Sequence, residues 1–316
     1  MTSVTRDRAR IGLVGARGHV GQELLFILRR HPRFEVAFVS SRTQPGVTVP
    51  GLDLRFEDLD AEAIAAKGAD AVVLALPNDL SRPVVHAIDA MKPTTVIVDV
   101  SADHRFDDAW VYGLPELFRS KIVGAKRIAN PGCYATAAAL VVGPVAALQA
   151  QPAHAFGVSG YSGAGTTPSP RNSVDALRDN LMPYHLVGHV HEREVTRHVG
   201  PVSLMPHVAA FFRGISMTVS LDFREPLSAE ALQGLYERAY ANEPMVKLTA
   251  EIPHVRDAAS LPWVTIGGFA VDEARRRAVV VSTLDNLLKG AASQAVQNLN
   301  LALGFHELEG IEPWPR

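Results

Sequence analysis

The string Gly12-Leu13-Val14-Gly15-Ala16-Arg17-Gly18-His19-Val20-Gly21 constrains the fold of this chain more than any other feature. Residues 10–14 read as a short buried strand, 15–21 as a turn and 22–30 as a helix. Glycines at 15, 18 and 21 form a G-x-x-G-x-x-G variant of the dinucleotide fingerprint. Such glycines let the backbone turn tightly and approach a pyrophosphate at a helix N-terminus. By itself the string could be no more than a tight turn. Here it lies between a strand and a helix, the context the nucleotide motif requires. Gly15, Ala16, Arg17, Gly18, His19, Val20 and Gly21 are therefore the expected cofactor contacts.

The rhythm continues. Residues 34–40, 71–76 and 95–100 are further apolar, β-branched runs, with helical stretches at 59–67 and 82–91 between them. Strand–helix alternation of this kind predicts an α/β, doubly wound parallel sheet covered on both faces. After about residue 150 the pattern changes. Residues 155–159, 202–208, 215–223, 245–251, 263–271 and 278–284 read as strands, and the clearest helix among them is 228–241. An antiparallel or mixed sheet in a second, α+β domain is expected. A last helix is expected over 286–303, capped by Asp285-Asn286 and packed back on the first domain. The expected division is 1–133, completed by 286–316, and 134–285. A chain of 316 residues with 47% apolar and 20% charged residues has ample material for two cores.

A cofactor lacking the 2′-phosphate usually meets an acidic residue after the second strand. Ser40-Ser41-Arg42 stands there instead. An arginine with two hydroxyls suits a 2′-phosphate, so NADP is expected over NAD, the alternative being a solvated loop arginine.

Cys133 is the only cysteine, in Asn130-Pro131-Gly132-Cys133-Tyr134-Ala135-Thr136, ahead of a helical run over 135–148. A thiol at a helix mouth has its thiolate stabilised by free N–H groups. The plainer reading is a small buried hydrophobe, but the Pro-Gly turn places residue 133 at a helix mouth rather than in a core. A nucleophile beside a nicotinamide site points to covalent acyl chemistry followed by hydride transfer. His189-Val190-His191-Glu192-Arg193-Glu194 offers an acid–base group. On a helix the two imidazoles would point to different sides, so only one would serve, and Glu194 at i+3 favours His191 over His189. With no ligand cluster nearby, zinc is not expected. The glycine-rich stretch 159–165 reads as a surface loop or as a close-approach site for a planar ring. Arg105, Arg171 and Arg213 are either surface residues or grips for phosphate or carboxylate.

Several function classes drop out. A net charge of −2 without a basic block argues against nucleic-acid or membrane-surface binding. One cysteine excludes an intrachain disulfide and fits a reducing compartment, the cytoplasm. The first ten residues contain no apolar core of a secretory signal. The longest apolar stretch, 137–148, is interrupted by Gly143-Pro144 and falls short of the roughly 20 residues that span a bilayer.

Seven segments in order resemble one family nearly end to end. They are Gly15 to Gly21, Val98-Asp99-Val100-Ser101-Ala102-Asp103-His104-Arg105, Tyr112-Gly113-Leu114-Pro115-Glu116, Asn130 to Tyr134, Ser159 to Gly165, His189 to Glu194, and Asp285-Asn286-Leu287-Leu288-Lys289-Gly290-Ala291. The chain is similar to the N-acetyl-γ-glutamyl-phosphate reductases of arginine biosynthesis, relatives of aspartate-semialdehyde dehydrogenase. That resemblance implies a Rossmann domain binding NADP, a catalytic domain that also makes a homo-oligomer (dimer or tetramer), and a small-molecule acyl phosphate as substrate. By the same resemblance Cys133 is the nucleophile, and His189 and His191 supply the acid–base group and a substrate contact. Ser101, Arg105, Asn130 and Arg213 are the implied substrate contacts, while Ser162, Gly163 and Asn286 face the nicotinamide. Arg17, His19, His104 and Ala135 depart from residues common in the family, and none of these changes removes a catalytic group. Two rival readings are a sister reductase of an aspartyl or amino-adipyl phosphate, and a non-catalytic NADP(H) sensor that would need neither thiol nor histidines.

Overall fold

Short, largely apolar runs build the first sheet. The computed structural model describes residues 8–311. They form two compact units, one running to Asn130 and resuming at Ala292, the other Pro131–Ala291. Readings that fall on residues 1–7 and 312–316 lie outside the described residues.

In the first unit the chain runs β1 (Ala9–Val14), α1 (His19–Leu28), β2 (Phe34–Ser40), β3 (Phe56–Glu57), α2 (Ala61–Ala66), β4 (Ala71–Leu74), α3 (Ser81–Met91), β5 (Val96–Asp99), β6 (Val111–Tyr112), α4 (Pro115–Ile122) and β7 (Arg127–Ala129). These strands pair in parallel in the order β3-β2-β1-β4-β5-β7-β6. Every residue of β4 and β5 is buried, as a sheet covered on both faces demands. The order reverses between β1 and β4, and ligands of doubly wound sheets bind at that switch point, beyond the carboxyl ends of the strands.

The second unit holds α5 (Cys133–Val142), β8 (Ala153–Gly160), α6 (Val174–Leu177), β9 (Met182–Pro183), α7 (Val190–His198), β10 (Val202–Ala209), β11 (Ile215–Asp222), α8 (Ala229–Tyr240), β12 (Val246–Leu248), α9 (Val255–Ala258), β13 (Val264–Asp272) and β14 (Arg277–Leu284). Helix α10 (Ser293–Leu303) belongs to the first unit. The second sheet is mixed, ordered β12-β13-β14-β11-β8-β10-β9. Strands β10 and β11 alternate buried and half-buried residues, the signature of a sheet covered on one face. Helix α5 is buried from Tyr134 through Val142. The phenols of Tyr236 and Tyr240 on α8 donate to the carbonyls of Val141 and Leu140, which the helix end would otherwise leave without partners. The Ser282 hydroxyl on β14 donates to the Ala137 carbonyl at 3.0 Å. Anchored in this way, α5 holds its N-terminal residue, Cys133, in a fixed place.

Several boundaries differ from expectation for local reasons. Helix α1 starts at His19 rather than at residue 22, because Gly18 is extended (φ −60°, ψ 162°) and serves as N-cap. Helix α5 ends at Val142, and Gly143–Leu148 continues as a 3₁₀ turn around Pro144, which has no N–H to give. The last helix starts at Ser293, not 286. Asp285 still accepts the N–H groups of Leu287 and Leu288, but the chain first makes a π-helical turn, Leu288–Ala292. The units divide after Asn130 and again before Ala292, so residues 131–133 and 286–291 lie with the second unit.

Candidate active site

Cys133 is the first residue of α5 and half-buried, and Gly132 is the extended N-cap (φ −71°, ψ 152°). N–H groups of a first helical turn have no partner inside the helix and stabilise a thiolate placed among them. Glu194 of α7 is fully buried, and its Oε2 accepts the Gly132 N–H at 3.0 Å. Its Oε1 lies 3.8 Å from Nε2 of His191. The His191 ring rests directly on Gly132, where any β-carbon would overlap the imidazole. Gly290, in the π-helical turn, is also tightly packed, and a β-carbon there would sit 2.8 Å from Cβ of Cys133.

His189 is the N-cap of α7, its Nδ1 accepting the His191 N–H at 3.2 Å. Because residue 189 is extended rather than helical, the two imidazoles do not diverge. Their centroids lie 4.7 Å apart, edge to face, so the expectation of rings on different sides is corrected. Tyr134 flanks both rings, at 6.3 and 6.0 Å. Tyr184 and His185 meet His189 at 5.7 and 5.6 Å. Burial, and next the repulsion of His185, pushes His189 down to about 4, against the pull of Glu194. It is therefore neutral at neutral pH. Burial, and then the charge of the neighbouring Cys133 thiolate, pushes the Tyr184 phenol up to about 12. Tyr134, raised chiefly by burial, stays protonated as well.

Arg213 is held by a protein carboxylate. Its Nε lies 2.5 Å and its Nη2 3.2 Å from Asp285, which is fully buried and also accepts the Ser260 N–H. Asn286 accepts the Gly214 N–H at 2.7 Å and donates to the Ser162 hydroxyl at 2.9 Å. Ser162 is buried, Gly163 exposed. The stretch 159–165 is thus no loose surface loop, because β8 runs into a 3₁₀ turn (Tyr161–Ala164) pinned by Asn286.

In the first unit Gly15 has φ +83°, and a β-carbon there would strike the Ala75 carbonyl. Gly21 lies as tightly against Gly15, while a β-carbon on Gly18 would meet only the Gly15 oxygen, at 3.9 Å. The glycine turn therefore fits a dinucleotide: its backbone is close-packed, and no side chain at 18 shields the mouth of α1. The N–H groups of Gly15 and Ala16 bond the Ser40 carbonyl at 3.1 and 3.3 Å, and Ala16 is fully buried. His19 and Val20 open α1 as half-buried residues. Ser40 and Ser41 are buried and Arg42 is exposed. Arg17 Nη1 donates to Thr43 Oγ1 at 3.0 Å, and Ser41 Oγ lies 3.4 Å from that same oxygen. The sequence reading missed Thr43, since a threonine beyond the Ser-Ser-Arg stretch carries no motif of its own.

Beyond β5, Ser101 donates both N–H and hydroxyl to the buried Asp99 carboxylate, at 3.0 and 2.8 Å. Arg105 is buried, with Nε on the Asn130 carbonyl at 2.9 Å and Nη2 on the Val100 carbonyl at 2.7 Å. Asn130 is completely enclosed, its Oδ1 accepting from Asn298 at 3.0 Å. Its backbone bonds Arg105 and Asp99. His104 stacks on Trp110 at 4.0 Å.

Two family models cover most of the chain, the semialdehyde dehydrogenase NAD binding domain at residues 10–125 and the semialdehyde dehydrogenase dimerisation domain at 133–286. The N-acetyl-gamma-glutamyl-phosphate reductase of Xanthomonas campestris pv. campestris (strain B100) is 54% identical over 308 residues, 95% of this chain and 98% of that protein. This chain belongs to the N-acetyl-gamma-glutamyl-phosphate reductase family. The reductase of Stenotrophomonas maltophilia (strain R551-3) is likewise 54% identical over 308 residues, 95% of this chain and 97% of that one. Aspartate semialdehyde dehydrogenase II of Vibrio cholerae, solved with ASA, shares the fold at 19% identity, with a TM-score of 0.75 over 95% of this chain and 99% of that one.

A member of this reductase family carries a nicotinamide-dinucleotide domain and an assembly domain, as the parallel and the mixed sheets here do. Among the described residues no helix is long and apolar enough to cross a membrane. None of their His, Cys, Asp and Glu side chains form a group of three or more able to hold a metal ion. Of the residues singled out in the sequence, Cys133, His189 and His191 meet in one cluster of the second unit, and Ser162 and Asn286 in another. Glu194 had a visible signal in its i+3 spacing from His191. Tyr184 had none, and Asp285 was legible as a helix cap but not as the partner of Arg213, because tertiary packing brings each to its partners.

Proposed function

We propose that this chain is an NADPH-dependent N-acetyl-γ-glutamyl-phosphate reductase that acts through a thioester on Cys133. The observation that carries the reading is the arrangement around Gly132: a thiol at the mouth of α5, with Glu194 on the Gly132 N–H and His191 laid against the same residue.

The acyl carbon of the acyl phosphate, a mixed anhydride, is already activated. The Cys133 thiolate, favoured by the N-terminal N–H groups of α5, forms a C–S bond to it, and the C–O bond to phosphate breaks. His191, oriented by Glu194, gives its proton to the departing phosphate. Neutral His189 accepts the His191 N–H and keeps the start of α7 in place. NADPH, held by the glycine turn, would supply the hydride that brings the thioester carbon to the aldehyde level. The resulting oxyanion reforms a carbonyl, the C–S bond breaks, and Cys133 leaves as a thiolate, ready for the next turn. Overall the acyl phosphate, NADPH and one proton become N-acetyl-glutamate 5-semialdehyde, NADP and phosphate.

For the cofactor, the glycine turn and the mouth of α1 would take the pyrophosphate. Arg17, Ser41, Arg42 and Thr43 favour a 2′-phosphate, hence NADP. Ser101, Arg105 and Arg213, each held by the protein, would contact phosphate and carboxylate without having to be ordered first. The second sheet would join two copies of the chain through its half-open face, where Phe156 is 40% exposed and packs on His207. The enzyme would work in the cytoplasm, where its lone thiol stays reduced.

Mass spectrometry tests the covalent step. The protein incubated with N-acetyl-γ-glutamyl phosphate in the absence of NADPH should gain one acyl group on Cys133. Cys133→Ser should lose turnover by about 10³-fold or more while binding NADPH normally. An unmodified Cys133, or near-normal turnover of the serine variant, removes the thioester from the account.

A further inference from the structure

We propose that Asp103 is a positioning residue that couples the loop after β4, beside the dinucleotide turn, to the loop after β5, which carries Ser101 and Arg105. The inference rests on the proposed function in taking Ser101 and Arg105 as substrate contacts.

Asp103 lies beyond β5, yet both its carboxylate oxygens serve the other loop. Oδ1 accepts the Asp79 N–H at 2.6 Å, and Oδ2 accepts the Ser81 N–H at 3.0 Å and the Ser81 hydroxyl at 2.6 Å. The Asp103 carbonyl accepts from Arg82 Nη2 at 2.8 Å, and Asn78 Oδ1 accepts the Ala102 N–H at 3.0 Å. Leu80, the N-cap of α3, has no side-chain acceptor, so the cap comes from a different loop. Asp79 is held at φ +68°, the left-handed region that a residue with a β-carbon enters only when its surroundings impose it. Although burial opposes it, the bonds from Ser81 and Asp79 hold the Asp103 carboxyl below the usual carboxylate range.

On the other side, the Asp103 N–H donates to Ser101 Oγ at 3.2 Å, and that hydroxyl donates to Asp99 at 2.8 Å. The Asp99 carbonyl accepts the Asn130 N–H at 2.8 Å, and the Asn130 carbonyl accepts Arg105 Nε at 2.9 Å. One connected set of hydrogen bonds therefore runs from Arg105 and Ser101 to Asp79 and Ser81. The loop after β4 flanks the switch point, since Ala75 supplies the carbonyl that restricts Gly15. A ligand that orders either loop orders the other through Asp103, and the effect is reciprocal by linkage.

The test is an NADPH fluorescence titration of the full chain, with and without inorganic phosphate as the probe for the second loop. Wild type should bind NADPH about fivefold more tightly at saturating phosphate. In Asp103→Asn one oxygen is replaced by an amide that points its hydrogens at an N–H donor, so the ratio should fall to near one. The same variant should raise KM for the acyl phosphate more than it lowers kcat, a split that a general loss of stability does not produce. Ser81→Ala removes only the hydroxyl bond and should lower the ratio part-way, which keeps the test decisive if the Asn variant fails to fold. A wild-type ratio of one, weakening of NADPH that grows without limit as phosphate rises, or either folded variant with the full wild-type ratio overturns the proposal. The titration needs no turnover. Lack of activity on N-acetyl-γ-glutamyl phosphate with the coupling intact would count against the substrate reading alone.

Discussion

The Glu194 carboxylate accepts the N–H of Gly132 at 3.0 Å, 62 residues away in the chain and immediately before Cys133. One buried carboxylate thereby fixes the turn that presents Cys133 and stands 3.8 Å from His191. The proposed nucleophile and its proposed acid–base partner share one anchor.

Glu194→Ala should expose this dependence. The Gly132 N–H loses its acceptor inside the protein, which costs about 1–3 kcal/mol of stability. A misplaced His191 should lower kcat by about 10²-fold. NADPH binding should be unchanged. Thermal melts and steady-state kinetics measured side by side check all three.

Gly132→Ala is predicted to be worse than its size implies. The added methyl overlaps the His191 ring, so either the ring or the turn must move. Overpacking of this kind costs about 1–3 kcal/mol. The displaced imidazole should take most of the activity with it. A crystal structure of the variant with His191 unmoved, or kcat near wild type, contradicts the prediction.

His189 predicts a direction for stability against pH. Its folded value, about 4, lies below the ordinary 6.5, so the unfolded chain binds more protons between those two pH values. Stability is fully present above about 6.5 and is lost as pH falls toward 4, by at most roughly 3 kcal/mol. His189→Asn should flatten that part of the melting profile relative to wild type. An equally steep decline in the variant would assign the effect to other groups.

How much of this was legible in the sequence differs from element to element. Strands β1, β2, β4 and β5 were readable because each is an apolar run bounded by turns, and the glycine spacing identified the tight turn between β1 and α1. The short strands β3, β6 and β9 were not readable, since two residues carry no periodicity and are held only by their neighbours. Cys133 stood out because a Pro-Gly turn precedes it. The closeness of His189 and His191 was hidden, because it depends on the N-cap conformation of residue 189 and not on spacing. The attachment of Arg213 to Asp285 joins residues 72 positions apart, and no local pattern announces it.

The proposed preference for NADP should reside in the cluster beyond β2. Removing a charge-assisted contact to the 2′-phosphate costs about 1.5–3 kcal/mol, or roughly tenfold or more in affinity. Arg42→Ala and Arg17→Ala should each raise KM for NADPH by that amount and leave KM for NADH little changed. Parallel losses with both cofactors would show that these arginines do not read the 2′-phosphate.

The reaction run in reverse tests the central claim most directly. Purified protein, NADP and inorganic phosphate are mixed with N-acetyl-glutamate semialdehyde, or in parallel with aspartate semialdehyde, and NADPH absorbance is followed. Rapid NADPH formation with the acetylated aldehyde alone is the predicted result. Formation with the aspartate compound alone would contradict the substrate, and no formation with either would contradict the reductase itself.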